Sequence, residues 1–90
     1  MSEPSPETRL RLRRGYRLQW EPAQAAHVLL YPEGMVRLNE SAAAILAACD
    51  GRELGAITAE LADRYDAPGL AADIREFVAT ALARGWLSRE

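Results

Sequence analysis

One histidine, one cysteine and a scatter of carboxylates are the side chains in this sequence that could do chemistry. His27 stands inside the apolar run from His27 to Tyr31, where a lone imidazole reads as a packed, hydrogen-bonded side chain rather than a base or ligand. Cys49 falls on the apolar stripe of a helical pattern and reads as a small hydrophobe. One Cys and one His make neither a disulfide framework nor a cluster of metal-ligand spacing, so no metal and no cofactor is expected. Ser41 has no histidine near it in sequence and stands in a first helical turn, which suits a capping role better than a nucleophile. Asp63 and Asp66 read as solvated surface. Gly51 and Gly55 flank no lysine and match no phosphate-cradling loop. The residues therefore argue against an enzyme.

With catalysis set aside, recognition remains. The 90 residues carry a formal charge of -2, and all eleven basic residues are arginine. Residues 1–20 hold five arginines against Glu3 and Glu7, a net +3, whereas residues 21–90 hold six arginines against eleven acids, a net -5. A short basic arm thus precedes an acidic body, a balance that argues against a surface built to neutralise phosphates. No apolar run approaches the roughly 18 residues of a membrane span. The opening residues are acidic and proline-containing, unlike a signal peptide, so a soluble, cytoplasmic protein with no membrane partner is expected.

The elements that must position a recognition surface follow from periodicity. Residues 1–14 contain Pro4 and Pro6 and few apolar residues beyond Leu10 and Leu12, and are expected to form a flexible tail. The domain is then residues 15–90. Tyr16, Leu18 and Trp20 alternate with Arg17, Gln19 and Glu21, the pattern of a strand with one buried face. The run to Tyr31 gives a central strand, Pro32, Glu33 and Gly34 reverse the chain, and Met35 to Leu38 return as a third strand. Asn39 suits the N-cap of a first helix carrying Ala42, Ile45, Leu46 and Cys49, stopped by Asp50 and Gly51. Leu54, Ile57, Leu61 and Tyr65 mark a second helix whose start lacks a capping side chain and should fray. After a break at Pro68 and Gly69, a third helix carries Leu70, Ile74, Phe77, Val78, Ala81 and Leu82, and is closed by Gly85 and Trp86.

Three strands followed by three helices indicate an α+β, winged-helix-like domain, a three-stranded antiparallel sheet followed by three helices. A chain this short buries only about 60 to 65% of the surface it exposes when unfolded, so one modest core is the ceiling. Two recognition surfaces stay open on the residues alone. A DNA-reading third helix would need basic and amide side chains, but its polar positions alternate Arg75 and Arg84 with Asp73 and Glu76. The unpaired edge of the third strand, Met35 to Leu38, could instead take an extended peptide as an added strand. Such an edge could also pair with a second copy, giving a homodimer.

The stretch Leu29 to Gly51, LLYPEGMVRLNESAAAILAACDG, resembles the PqqD family of pyrroloquinoline quinone (PQQ) biosynthesis, whose run is an apolar strand, Tyr-Pro-Glu-Gly, Leu-Asn, Ser-Ala and Ile-Leu ending in Asp-Gly. Tyr16, Leu18, Trp20 and Pro22 upstream, with Asp73, Ile74, Phe77, Gly85 and Trp86 downstream, extend the likeness from about Leu12 to Leu87. Glu53 departs from it, where relatives tend to carry a small hydroxyl residue. The resemblance implies a peptide chaperone, the stand-alone form of a recognition element for ribosomally made, modified peptides. It would bind the precursor peptide PqqA and present it to the radical S-adenosylmethionine enzyme PqqE, which crosslinks a Glu to a Tyr and holds the iron-sulfur chemistry. It further implies that Met35, Val36, Arg37 and Leu38 supply a backbone ladder, while Asp73, Ile74, Phe77, Val78 and Ala81 line or back a groove along the third helix.

Overall fold

A computed structural model describes residues 4–67 and 69–90. Pro68 and the first three residues of the expected tail lie outside the described residues. The elements in order are β1 (Arg9–Leu12), β2 (Arg17–Glu21), β3 (Ala26–Tyr31), β4 (Gly34–Leu38), α1 (Glu40–Ala48), β5 (Asp50–Glu53), α2 (Leu54–Arg64), α3 (Leu70–Ala83) and β6 (Leu87–Arg89). The α+β class holds, and the sheet β2-β3-β4 precedes the three helices as the periodicity predicts. A second antiparallel sheet, β5-β1-β6, is an addition to that expectation.

The second sheet corrects the reading of the tail. Arg9–Leu12 is its middle strand, flanked by β5 and β6, and Leu10 is fully buried in the core. Leucines at positions 10 and 12 alternate with arginines, so this short strand does have a buried face. The arginines that obscured the pattern lie outside and are paired across the sheet. Arg9 meets Glu53 at 3.6 Å and donates to the Gly51 carbonyl at 3.0 Å, and Arg11 pairs with Glu90.

Beneath β2-β3-β4, Leu29 and Leu38 pack with Ile45 and Leu46 of α1, Ile57 and Leu61 of α2, and Ile74, Val78 and Ala81 of α3 into one core that also takes Leu10 and Leu87. The first amides of α1 and α2 find partners. Asn39 accepts from the Ala42 amide at 2.8 Å through its side chain, and the Ser41 hydroxyl donates to the same oxygen at 3.1 Å. The helix ends at Ala48, ahead of the expected stop, and Gly51 spends its positive φ of 104° inside β5. Helix α2 has no side-chain cap, as expected, yet its first amides are not left free. Leu54 N–H donates to Thr8 O and Gly55 N–H to Pro6 O, both at 2.8 Å.

Candidate functional site

The hairpin β3-β4 turns through two residues, Pro32 and Glu33, with Tyr31 opposite Gly34. A two-residue connection makes the flanking residues the first hydrogen-bonded pair, and antiparallel pairing then alternates. Gly34, Val36 and Leu38 therefore turn their backbone groups toward β3. Met35 and Arg37 turn theirs outward, along an edge that no strand among the described residues covers. This edge offers two donors and two acceptors at every-other-residue spacing, the pattern an added strand requires.

Side chains on β4 divide by the same alternation, perpendicular to the sheet. Met35, 50% exposed, and the exposed Arg37 stand on the outer face of the sheet, where Arg37 has no ion pair among the described residues. Leu30 and Val28 lie directly across from them on β3. Val36 is half-buried and Leu38 buried, both toward the core. Of the four residues expected to supply a ladder, Met35 and Arg37 carry the outward backbone groups, while Val36 and Leu38 turn theirs toward β3 and anchor the strand from within.

The five residues singled out on α3 separate as well. Ile74, Val78 and Ala81 are fully buried core, so they back a surface and are not part of one. Phe77 is half-buried at the margin of the same cluster that Val36 packs against, with its ring centroid 6.4 Å from that of Trp86. Asp73 is exposed in the first turn of α3. The residues left accessible are therefore Met35, Arg37, Val36 in part, Phe77 in part and Asp73.

The remaining candidates are structural. The Cys49 thiol is buried against the Ile45 carbonyl at 3.2 Å, and burial pushes its pKa up to about 12, removing it as a nucleophile. His27 and Trp20 pack edge to face, ring centroids 5.1 Å apart, and the imidazole makes no hydrogen bond among the described residues. Asp63 and Asp66 are exposed. Among the described residues no group of three or more His, Cys, Asp or Glu could hold a metal ion. No helix there is long and apolar enough to cross a membrane.

A family model described as "Coenzyme PQQ synthesis protein D (PqqD)" matches residues 26–87. The chain belongs to the PqqD family. Among PqqD relatives, a protein of Stutzerimonas stutzeri is 58% identical over 77 residues, covering 83% of this chain and 84% of its own length. One of Azotobacter vinelandii is 53% identical over 89 residues, covering 97% of each chain. Both bear the name PqqA binding protein. The solution NMR structure of the PqqD part of Methylobacterium extorquens PqqCD superposes with a TM-score of 0.79 at 34% identity, covering 96% of this chain and 95% of that one. That part is described as a functional, stand-alone recognition element for ribosomally synthesized and post-translationally modified peptides.

Proposed function

We propose that this PqqD protein is a peptide chaperone of PQQ biosynthesis, which binds the precursor peptide PqqA as an added strand along β4 and presents it to the radical S-adenosylmethionine enzyme PqqE. The observation that carries this reading is the pair of outward-facing backbone positions, Met35 and Arg37, on an edge with no strand beside it among the described residues. The PqqA-binding names of the relatives support the same ligand. A bound peptide would run beside β4 with alternate side chains against Met35 and Arg37 on the outer face, and against Val36 and Phe77 at the core margin. In this reading the chain performs no catalysis, and the crosslinking chemistry belongs to the enzyme that receives the peptide.

About four backbone bonds of roughly 1 kcal/mol each, with one or two apolar anchors, make a dissociation constant on the order of a micromolar or somewhat tighter reasonable. Release after modification is then feasible. The DNA-reading alternative has no support in α3, whose exposed face sets Asp73 and Glu76 beside Arg75.

Calorimetric titration with synthetic PqqA, beside a scrambled peptide and a DNA duplex, tests the reading. Saturable binding near one to one by PqqA alone is expected, and binding of PqqE by the loaded complex follows. No binding of PqqA by the folded chain would overturn the proposal.

A further inference from the structure

Helix α1 has an unusual solvent side. Its outward positions are Glu40, Ser41, Ala44 and Ala47, where an exposed helix would ordinarily carry long polar side chains. Alanines there leave the backbone open to close approach. On either side stand two of the protein's exposed large apolar groups, Trp20 on β2 at 51% and Tyr65 beyond α2 at 52%. Trp20, Tyr65, Leu18 and the alanines of α1 enclose a hollow of about 290 Å³. A second hollow of about 250 Å³ shares Glu40, Ala44 and Tyr65 and runs on to Leu61 and Leu70. The two form one trough.

Glu40 lines both hollows and is the one acid that does so. Glu40 is exposed and, like Glu33 and Glu76 but unlike Asp50, Glu53, Glu60 and Glu90, has no ion pair among the described residues; its place in the trough sets it apart. A free carboxylate in an apolar trough walled by two aromatic rings complements a cation. A guanidinium or ammonium there would gain a charged hydrogen bond and ring-face contact together. Among the described residues lining these two hollows, the one basic side chain is the His27 imidazole.

Position decides what such a cation belongs to. Strands β2 and β4 are opposite edges of one sheet, so an occupant on the Trp20 side leaves the β4 edge open. The trough also continues, through Trp20, His27 and Glu40, into a hollow of about 650 Å³ that reaches Arg37, Leu38 and Asn39 at the end of β4. We infer that the trough between Trp20 and Tyr65 docks a second protein, which presents an arginine or lysine with apolar neighbours to Glu40 while a peptide lies on β4. This rests on the presentation reading above, under which the docked protein is the modifying enzyme, held beside the point where the peptide leaves the strand.

The test titrates PqqE into the full chain loaded with PqqA, comparing wild type with W20S/Y65S and with Glu40→Arg, each shown to be folded by circular dichroism. Both variants are expected to weaken enzyme binding by at least about tenfold, and to leave PqqA affinity within about twofold. Equal enzyme binding by wild type and variants would overturn this inference and leave the presentation reading standing. Failure of the wild-type complex to bind PqqE would overturn both. Loss of PqqA affinity in the variants would make the peptide the occupant, and loss of a dimer in sedimentation would make it a second copy. Either result would overturn the docking of a second protein.

Discussion

The backbone amide of Leu54 donates to the carbonyl of Thr8 at 2.8 Å, so the first turn of α2 is capped by main chain from the segment ahead of β1. Gly55 repeats the arrangement with Pro6 one residue further on, also at 2.8 Å. Each bond satisfies an amide that a helix start leaves orphaned. The segment before β2 is therefore a structural part of the domain, tied in by these two bonds and by the buried Leu10.

Leu10→Ala should cost about 3 kcal/mol, the cavity cost of a fully buried leucine, and lower the urea midpoint without changing the slope much. Deleting residues 1–12 removes the middle strand of a sheet and both caps together, and should unfold the chain or leave it without a cooperative transition. A truncated chain with an unaltered urea midpoint would show that β1 contributes nothing to the core.

Gly55 gives a prediction of the opposite sign to the usual rule. Glycine to alanine inside a helix ordinarily gains up to about 1 kcal/mol. Here an added Cβ would stand 3.2 Å from the Pro6 carbonyl oxygen and 3.4 Å from its Cβ, against main chain already bonded to the Gly55 amide. Gly55→Ala is expected to lower the thermal midpoint. A raised midpoint would mean that the Pro6 segment yields at little cost.

Much of the sheet and all three helices were legible because their apolar spacing is regular. Leu38, and Ile74, Val78 and Ala81, fell where period two and period 3.6 placed them, and Val28 and Leu29 of the continuous apolar run are both fully buried. Strands β5 and β6 were not, since DGRE and LSR are too short and too polar to show a period, and they exist only because β1 pairs with both. Trp20 and Tyr65 were read as parts of buried stripes and are half-exposed, because the alanines of α1 beside them are too small to cover an indole or a phenol. At the candidate edge the sequence located the strand. Which amides face outward depended on the turn closing with Tyr31 opposite Gly34, a matter of pairing rather than composition.

Cys49 makes stability fall at high pH. Burial raises its thiol from an ordinary 9.0 to about 12, so between those values the unfolded chain releases a proton that the folded chain keeps. Unfolding is thereby favoured as pH rises through that window, with a slope of at most about 1.4 kcal/mol per pH unit from this group. The contribution is fully present below pH 9.0 and lost by about 12. Urea titrations across the window should show a shallower decline for Cys49→Ala than for wild type. In parallel, a thiol reagent at pH 8 should label the native chain far more slowly than the unfolded one.

The two faces of β4 separate folding from binding. Proline at position 35 or 37 removes an outward amide, a substitution edge strands tolerate, so the chain should stay folded while PqqA binds about fivefold to tenfold more weakly for each bond lost. Proline at position 36 removes an amide turned toward Leu29 in the neighbouring strand, and should lower the urea midpoint well below that of either edge proline. Comparing M35P, R37P and V36P by peptide titration and urea unfolding checks the register directly. Arg37→Glu adds the charge arm: if its guanidinium meets an acidic peptide side chain, the reversal should weaken binding more at low salt than at high salt, where screening shortens the reach of exposed charges to about 3 Å at 1 M. Unweakened binding in folded M35P and R37P would remove the strand-addition model, because those two residues carry the backbone groups the edge presents.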